Sequence, residues 1–209
     1  MQIETPAHSG NTEKILSEFA LYIKLGFKHI ADFAGYDHIL FLVALCAPYK
    51  LKYWNQILIL VTAFTIGHSI TLAVSTLGLI PISSDMIEFL IPVTIFLTCL
   101  LNILKNSEKW KNHKLNLNYA LALFFGFIHG MGFSNYLRAL LGKEESIITP
   151  LFAFNIGLEV GQIMIVSIIL AITFFVIKIF NVVHRRWNIA VSGVAACLAI
   201  FLMIQTKFW

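Results

Sequence analysis

The sequence predicts an all-α integral membrane bundle of about six transmembrane helices, with an interfacial amphipathic helix at its N-terminal side. Three observations predict it. Of 209 residues, 58% are apolar and 12% charged, and the mean hydropathy of +0.82 lies outside the range of soluble domains. Apolar stretches run from about Leu21 to Ala47, Trp54 to Leu79, Met86 to Leu104, Leu117 to Leu141, Leu151 to Ile177 and Trp187 to Thr206. Each approaches the ~20 residues that a helix needs to cross the hydrocarbon core. Period-two alternation is absent, and the runs are too long for strands.

The first stretch needs a break. From Glu13 to Ala47 a single helix would be ~50 Å long, against a core of ~30 Å. Gly35, just before Tyr36, Asp37 and His38, is the expected bend. The part from Asn11 to about Lys24 is expected to rest at the outer interface, within an outer segment of residues 1–20. Lys24, Lys28 and Asp32 read as interfacial charges. The tail "MQIETPAHSGNTEK" lacks the basic start and short apolar core of a cleavable signal.

The remaining stretches alternate with loops of distinct charge. Lys50 and Lys52 follow the first, Lys105, Lys109, Lys111 and Lys114 the third, and Lys178, Arg185 and Arg186 the fifth. The intervening loops carry Asp85 and Glu88, or a mixture of Arg138, Lys143, Glu144 and Glu145. The positive-inside rule puts the first set in the cytoplasm, and both termini then lie outside it, in a bacterial-type inner membrane. This distribution accounts for the net charge of +4 without a nucleic-acid partner.

No linker or low-complexity tract divides the chain, so 1–209 reads as one polytopic domain, with the six-helix bundle over 21–206. In "GFIHG" Gly126 and Gly130 stand four apart, as do Gly157 and Gly161 in "GLEVG". That spacing lets helix backbones approach closely in lipid. Cys46, Cys99 and Cys197 sit singly in apolar segments and read as small packing residues.

Polar residues inside the oil carry the functional signal. His8, His113 and His184 fall in the tail or loops and are expected to be solvated. His29 and His38 lie in the first stretch, His68 in "TAFTIGHSITLAVS" and His129 in "FFGFIHGMGFSN". In "FNIGLEVGQ", Asn155, Glu159 and Gln162 stand at i, i+4 and i+7, on one helical face. Ionisable groups at membrane depth cost several kcal/mol unless paired or hydrated, which makes them functional candidates. Counted at 1.5 Å per residue from the outer boundary, His38 lies ~16 Å deep, His68 ~16 Å, His129 ~18 Å and Glu159 ~13 Å.

One polar cluster of Asp37, His38, His68, His129 and Glu159 follows from that agreement. Imidazole nitrogen and carboxylate oxygen suit Ni²⁺, Co²⁺ or Zn²⁺. Asp37 and His38 are adjacent on a helix and cannot easily bind one ion together, so one is expected to ligate and the other to orient a histidine from behind. Asn155, Gln162 and His29, which counts about two and a half turns outward of His38, are second-shell candidates. On the inner side only Thr62, Thr65, Thr98, Asn102, Ser167 and Thr173 are polar.

At these residues the sequence resembles the HupE/UreJ family of small polytopic membrane proteins, associated with hydrogenase and urease maturation. The resemblance rests on "GYDHILFLVAL", "TAFTIGHSITLA", "FFGFIHGMGFSNYL" and "LFAFNIGLEVGQI", in that order. It covers most of the chain, and it implies a nickel or cobalt permease whose site comprises Asp37, His38, His68, His129 and Glu159. His29 departs from the pattern: it stands eight residues before Asp37, where the family's leading histidine stands six before.

Two other readings stay open. An intramembrane zinc-dependent hydrolase or transferase, acting on a lipid or membrane protein at the outer leaflet, would use Glu159 or Asp37 as general base and Ser69 to stabilise an oxyanion. A metal-stabilised accessory subunit would have neither activity.

Overall fold

The computed structural model describes residues 7–32, 35–80, 83–104, 115–141 and 147–209. They form helices α1 (Ala7–Ile30), α2 (Asp37–Cys46), α3 (Trp54–Thr76), α4 (Ser84–Leu104), α5 (Leu115–Gly132), α6 (Ser134–Leu141), α7 (Ile148–Phe180) and α8 (His184–Gln205). A single 3₁₀ turn, Leu51–Tyr53, leads into α3.

Four of these helices are long and apolar enough to span a membrane: α3 with the turn before it, α4, α7 and α8. The fourth apolar stretch is bent rather than straight, because α5 and α6 meet at 49° across Phe133, and together they make a fifth candidate span. Among the described residues no sixth candidate span is found in the first stretch. That stretch is split between the end of α1 and α2, a helix of 10 residues, with the backbone out of helix around Gly35. The segment from Asn11 to Lys24 is not a separate helix: it forms the larger part of α1, one unbroken helix whose Tyr22 and Ile30 are buried.

Glycine explains why α1 runs along α7. A methyl group added to Gly157 would lie 1.9 Å from the Ile23 carbonyl oxygen, and one added to Gly26 would lie equally close to that of Phe154. Only bare backbone fits at this crossing. A second seam joins α3 to α5, where Cβ atoms on Gly67 or Gly126 would come within 2.2 Å of the Leu123 or Phe64 carbonyl oxygen. Within each pair the residue numbers rise together along the contact, so both pairs are parallel. In contrast, α4 packs on α8, with Asn102 near the end of α4 bonded to Ser192 on α8.

Helix ends are closed by local chemistry. Gly78, at φ 75°, follows α3, and Asn181, at φ 48°, ends α7, both in the left-handed region. Arg138 donates to the Thr76 carbonyl at 3.0 Å and also to that of Ser75, which caps α3 from α6. Arg185 does the same for α4 through the Asn102 and Ile103 carbonyls.

Two corrections concern single residues. His184 is buried, not solvated, and its Nε2 lies 3.2 Å from the Tyr49 carbonyl oxygen. Cys46 and Cys99 are buried, whereas Cys197 is exposed on the outer surface of α8. The surroundings of His8, together with His113, Lys105, Lys109, Lys111, Lys114, Lys143, Glu144 and Glu145, lie outside the described residues.

Lys50, Lys52, Lys178, Arg185 and Arg186 mark one end of the bundle, here called the basic end. Asp85 and Glu88, at the start of α4, mark the opposite, acidic end. The start of α1 and the end of α8 both belong to the acidic end, since α1 runs parallel to α7 and Phe208 and Trp209 pack on Phe89 of α4.

Candidate metal centre

The break after α1 decides which side chains meet. Because the chain leaves helix after Ile30 and re-enters it at Asp37, His29 and His38 are not stacked along one cylinder. Their ring centroids lie 4.7 Å apart. His68 joins them from α3, with centroids 5.9 Å from His29 and 6.0 Å from His38. One ring nitrogen from each of the three lies within 4.8 Å of the others. A single tetrahedral ion with bonds of ~2.1 Å sets its donors ~3.4 Å apart, so the separations must shorten by up to ~1.4 Å to close the set.

The carboxylate of Asp37 fixes what His38 can offer. Its Nδ1 lies 3.1 Å from Asp37 Oδ1, and its backbone N–H donates to the same oxygen at 3.0 Å. An ionised carboxylate only accepts, so Nδ1 carries the proton and the Nε2 lone pair is left for a ligand.

His129 is placed beside the group, its centroid 5.2 Å from that of His38. The Thr94 hydroxyl donates to the Ile91 carbonyl at 2.7 Å, so His129 Nε2–H donates to the Thr94 oxygen at 3.0 Å. Its Nδ1 then carries a lone pair.

These rings are buried in a way that leaves nitrogens without partners. His68 is 0% exposed and neither of its nitrogens has a hydrogen bond among the described residues; the same holds for His29 Nε2, His38 Nε2 and His129 Nδ1. Buried polar atoms are normally satisfied, and each orphan costs about 1–3 kcal/mol. Five such nitrogens in one place fit a bound cation.

The rest of the polar face on α7 goes elsewhere. The Thr62 hydroxyl donates to Glu159 Oε1 at 3.0 Å, and that of Thr65 to Gln162 Oε1 at 2.6 Å. Ser69 Oγ lies 2.7 Å from Asn155 Oδ1 and 2.6 Å from the Thr65 carbonyl oxygen. These bonds form a ladder between α3 and α7 in which Glu159 stands at the level of Thr62, about 9 Å along α3 from His68. The structure thus brings His29, His38 and His68 together, with Asp37 behind His38 and His129 alongside, and it keeps Glu159, Asn155 and Gln162 on the ladder. By helical counting His29 stood two and a half turns outward of His38; the break around Gly35 turns the chain back and brings the two rings together.

Above the rings lies a pocket of about 200 Å³, lined by His29, Asp32, Asp37, His38, Glu88 and His129 among others. Three carboxylates around the opening favour cations. Phe133, at the α5–α6 corner, covers His29 at a centroid distance of 4.0 Å.

The family model described as HupE / UreJ protein matches residues 7–207. No curated protein and no solved structure matches the chain.

Proposed function

Since the chain belongs to the HupE/UreJ family, we propose that it is a divalent transition-metal permease, carrying nickel or cobalt, whose ion is captured at His29, His38 and His68 from the acidic end. Members of the family are permeases, and membership implies transport of these metals. The observation that carries the reading for this chain is the group of buried, unpartnered imidazole nitrogens at the floor of a carboxylate-lined pocket. Nitrogen donors suit Ni²⁺ and Co²⁺ better than Mg²⁺ or Ca²⁺. Asp37 holds the tautomer of His38, and His129 stands beside the set as a further donor.

The enzymatic alternative finds less support. Ser69 is engaged by Asn155 and by its own helix, and Glu159 by Thr62, so neither is left to stabilise an oxyanion or to move a proton at the histidines.

The positive-inside rule makes the basic end cytoplasmic, so uptake runs from outside inward. Reporter fusions at either terminus are expected to lie outside the cytoplasm. The decisive experiment is elemental analysis of the purified protein followed by uptake into sealed proteoliposomes, wild type beside His68→Ala. One Ni²⁺ or Co²⁺ per chain that requires His68 and accumulates inside is the expected result. A tightly held ion with no uptake would sink the permease.

A further inference from the structure

On the basic side of the histidines the protein contains a second pocket. It lies between α2, α3, α4 and α5, has a volume of about 40 Å³, and its mostly apolar lining includes Phe41, Tyr49, Thr98, Asn102, Asn118 and Phe125. In the sequence the polar residues of the inner half are Thr62, Thr65, Thr98, Asn102, Ser167 and Thr173; the fold gathers Thr98 and Asn102 together with Tyr49 and Asn118.

Two of the polar lining residues keep an oxygen free to accept. The Thr98 hydroxyl hydrogen is used on the Thr94 carbonyl at 2.9 Å, which leaves its oxygen as an acceptor. Both amide hydrogens of the Asn102 side chain are engaged, by the Ala44 carbonyl at 2.7 Å and Ser192 Oγ at 3.3 Å, which leaves its side-chain Oδ1 as an acceptor. Thr94, Thr98 and Asn102 stand at i, i+4 and i+8 on one face of α4, and Thr94 is the partner of His129. One stripe of oxygens therefore leads from the histidines to the second pocket.

An aromatic layer separates the two. Phe41 is stacked on Phe64 with centroids 4.7 Å apart, lies edge-on to Phe125 at 6.3 Å, and stands 5.2 Å from the His129 ring. Phe41 and Phe64 are 1% exposed. Phe41 and Phe125 border the pocket, so the same rings that floor the histidine cluster roof the cavity beneath it.

We propose that this pocket is a second, oxygen-donor station for the partly hydrated divalent ion on its way to the basic end, and that Phe41 is the barrier between the two stations. The proposal rests on the permease reading. Its logic is one of graded affinity: nitrogen donors capture a borderline ion, and neutral oxygens, which hold it less tightly, let it go.

The test uses the full chain in proteoliposomes with Ni²⁺. Thr98→Val keeps the shape and removes the acceptor. It is expected to leave Ni²⁺ stoichiometry in detergent unchanged and to slow uptake about tenfold, the loss of roughly one hydrogen bond to a charged group. Phe41→Leu thins the barrier and is expected to speed uptake about tenfold with binding retained. A separate measurement leaves Phe41 in place: Thr98→Cys, with Cys46, Cys99 and Cys197 changed to Ala, is labelled by a membrane-impermeant thiol reagent from the basic side alone.

Normal uptake in both folded variants, or labelling from the acidic side, overturns the route and leaves the permease standing. A wild-type protein that binds Ni²⁺ and never accumulates it overturns the permease and the route together.

Discussion

Asp37 and His38 form the smallest working unit in the molecule: a carboxylate that fixes which nitrogen of the next residue carries the proton. Asp37→Asn exchanges an acceptor for an amide of nearly the same shape, and partners of this kind are worth about 10–100-fold in metal affinity. Isothermal titration of Ni²⁺ into Asp37→Asn is therefore expected to show a dissociation constant raised by about that factor, with the stoichiometry kept. Glu159→Gln gives the contrasting outcome. Its carboxylate accepts from Thr62 and not from the cluster, so Ni²⁺ stoichiometry at the histidines is expected to be unchanged. A Glu159 variant that loses the ion would place the carboxylate in the coordination sphere. Of the site, residue types and depth exposed His38, His68 and His129 in the sequence, because a histidine in an apolar run is visible one residue at a time. The roles of His29 and Glu159 were not visible. The first depends on the direction the chain takes after Ile30, and the second on which rotamer finds Thr62 first.

At the scale of elements, two glycine seams decide which helices are neighbours. Gly157→Ala drives a methyl group into the Ile23 carbonyl, a backbone atom that cannot step aside. Overpacking of this kind costs about 1–3 kcal/mol or more, and a clear fall in the thermal midpoint in detergent is expected. Gly193 is the control, since a Cβ there meets nothing within 4 Å. Its replacement by Ala is expected to leave the midpoint unchanged or raise it, because Gly inside a helix is about 1 kcal/mol less favourable than Ala. Equal effects from the two substitutions would refute the close approach of α1 and α7. The sequence displayed both glycine pairs at a spacing of four, yet nothing in it named their partners: Gly26 has Tyr22 and Ile30 four residues away, and Gly67 has Ala63 and Thr71 rather than a second glycine. The long apolar runs after Trp54 were legible because burial in lipid demands continuous hydrophobicity. The first run was misjudged because Lys24, Lys28, Asp32 and Asp37 interrupt it, and counting length alone ignores what those charges cost in mid-membrane.

For the whole molecule, an ion bound to the folded protein stabilises it by mass action. At a hundred times its dissociation constant Ni²⁺ adds about 2.7 kcal/mol, so the thermal midpoint of the wild type is expected to rise with Ni²⁺ concentration and that of His68→Ala to stay level. A rise of the same size in both would locate the ion elsewhere. The effect also follows from how the ligands are distributed. His29 rides on α1, which is seamed to α7; His68 and His129 ride on α3 and α5, seamed to each other; His38 sits on α2, which belongs to neither pair. An ion seated among them is a rivet through three plates. Occupancy and mechanical freedom are then one variable, and a carrier of this build works best when its rivet is loose: a variant selected for tighter grip would become stiffer and, for the same reason, slower.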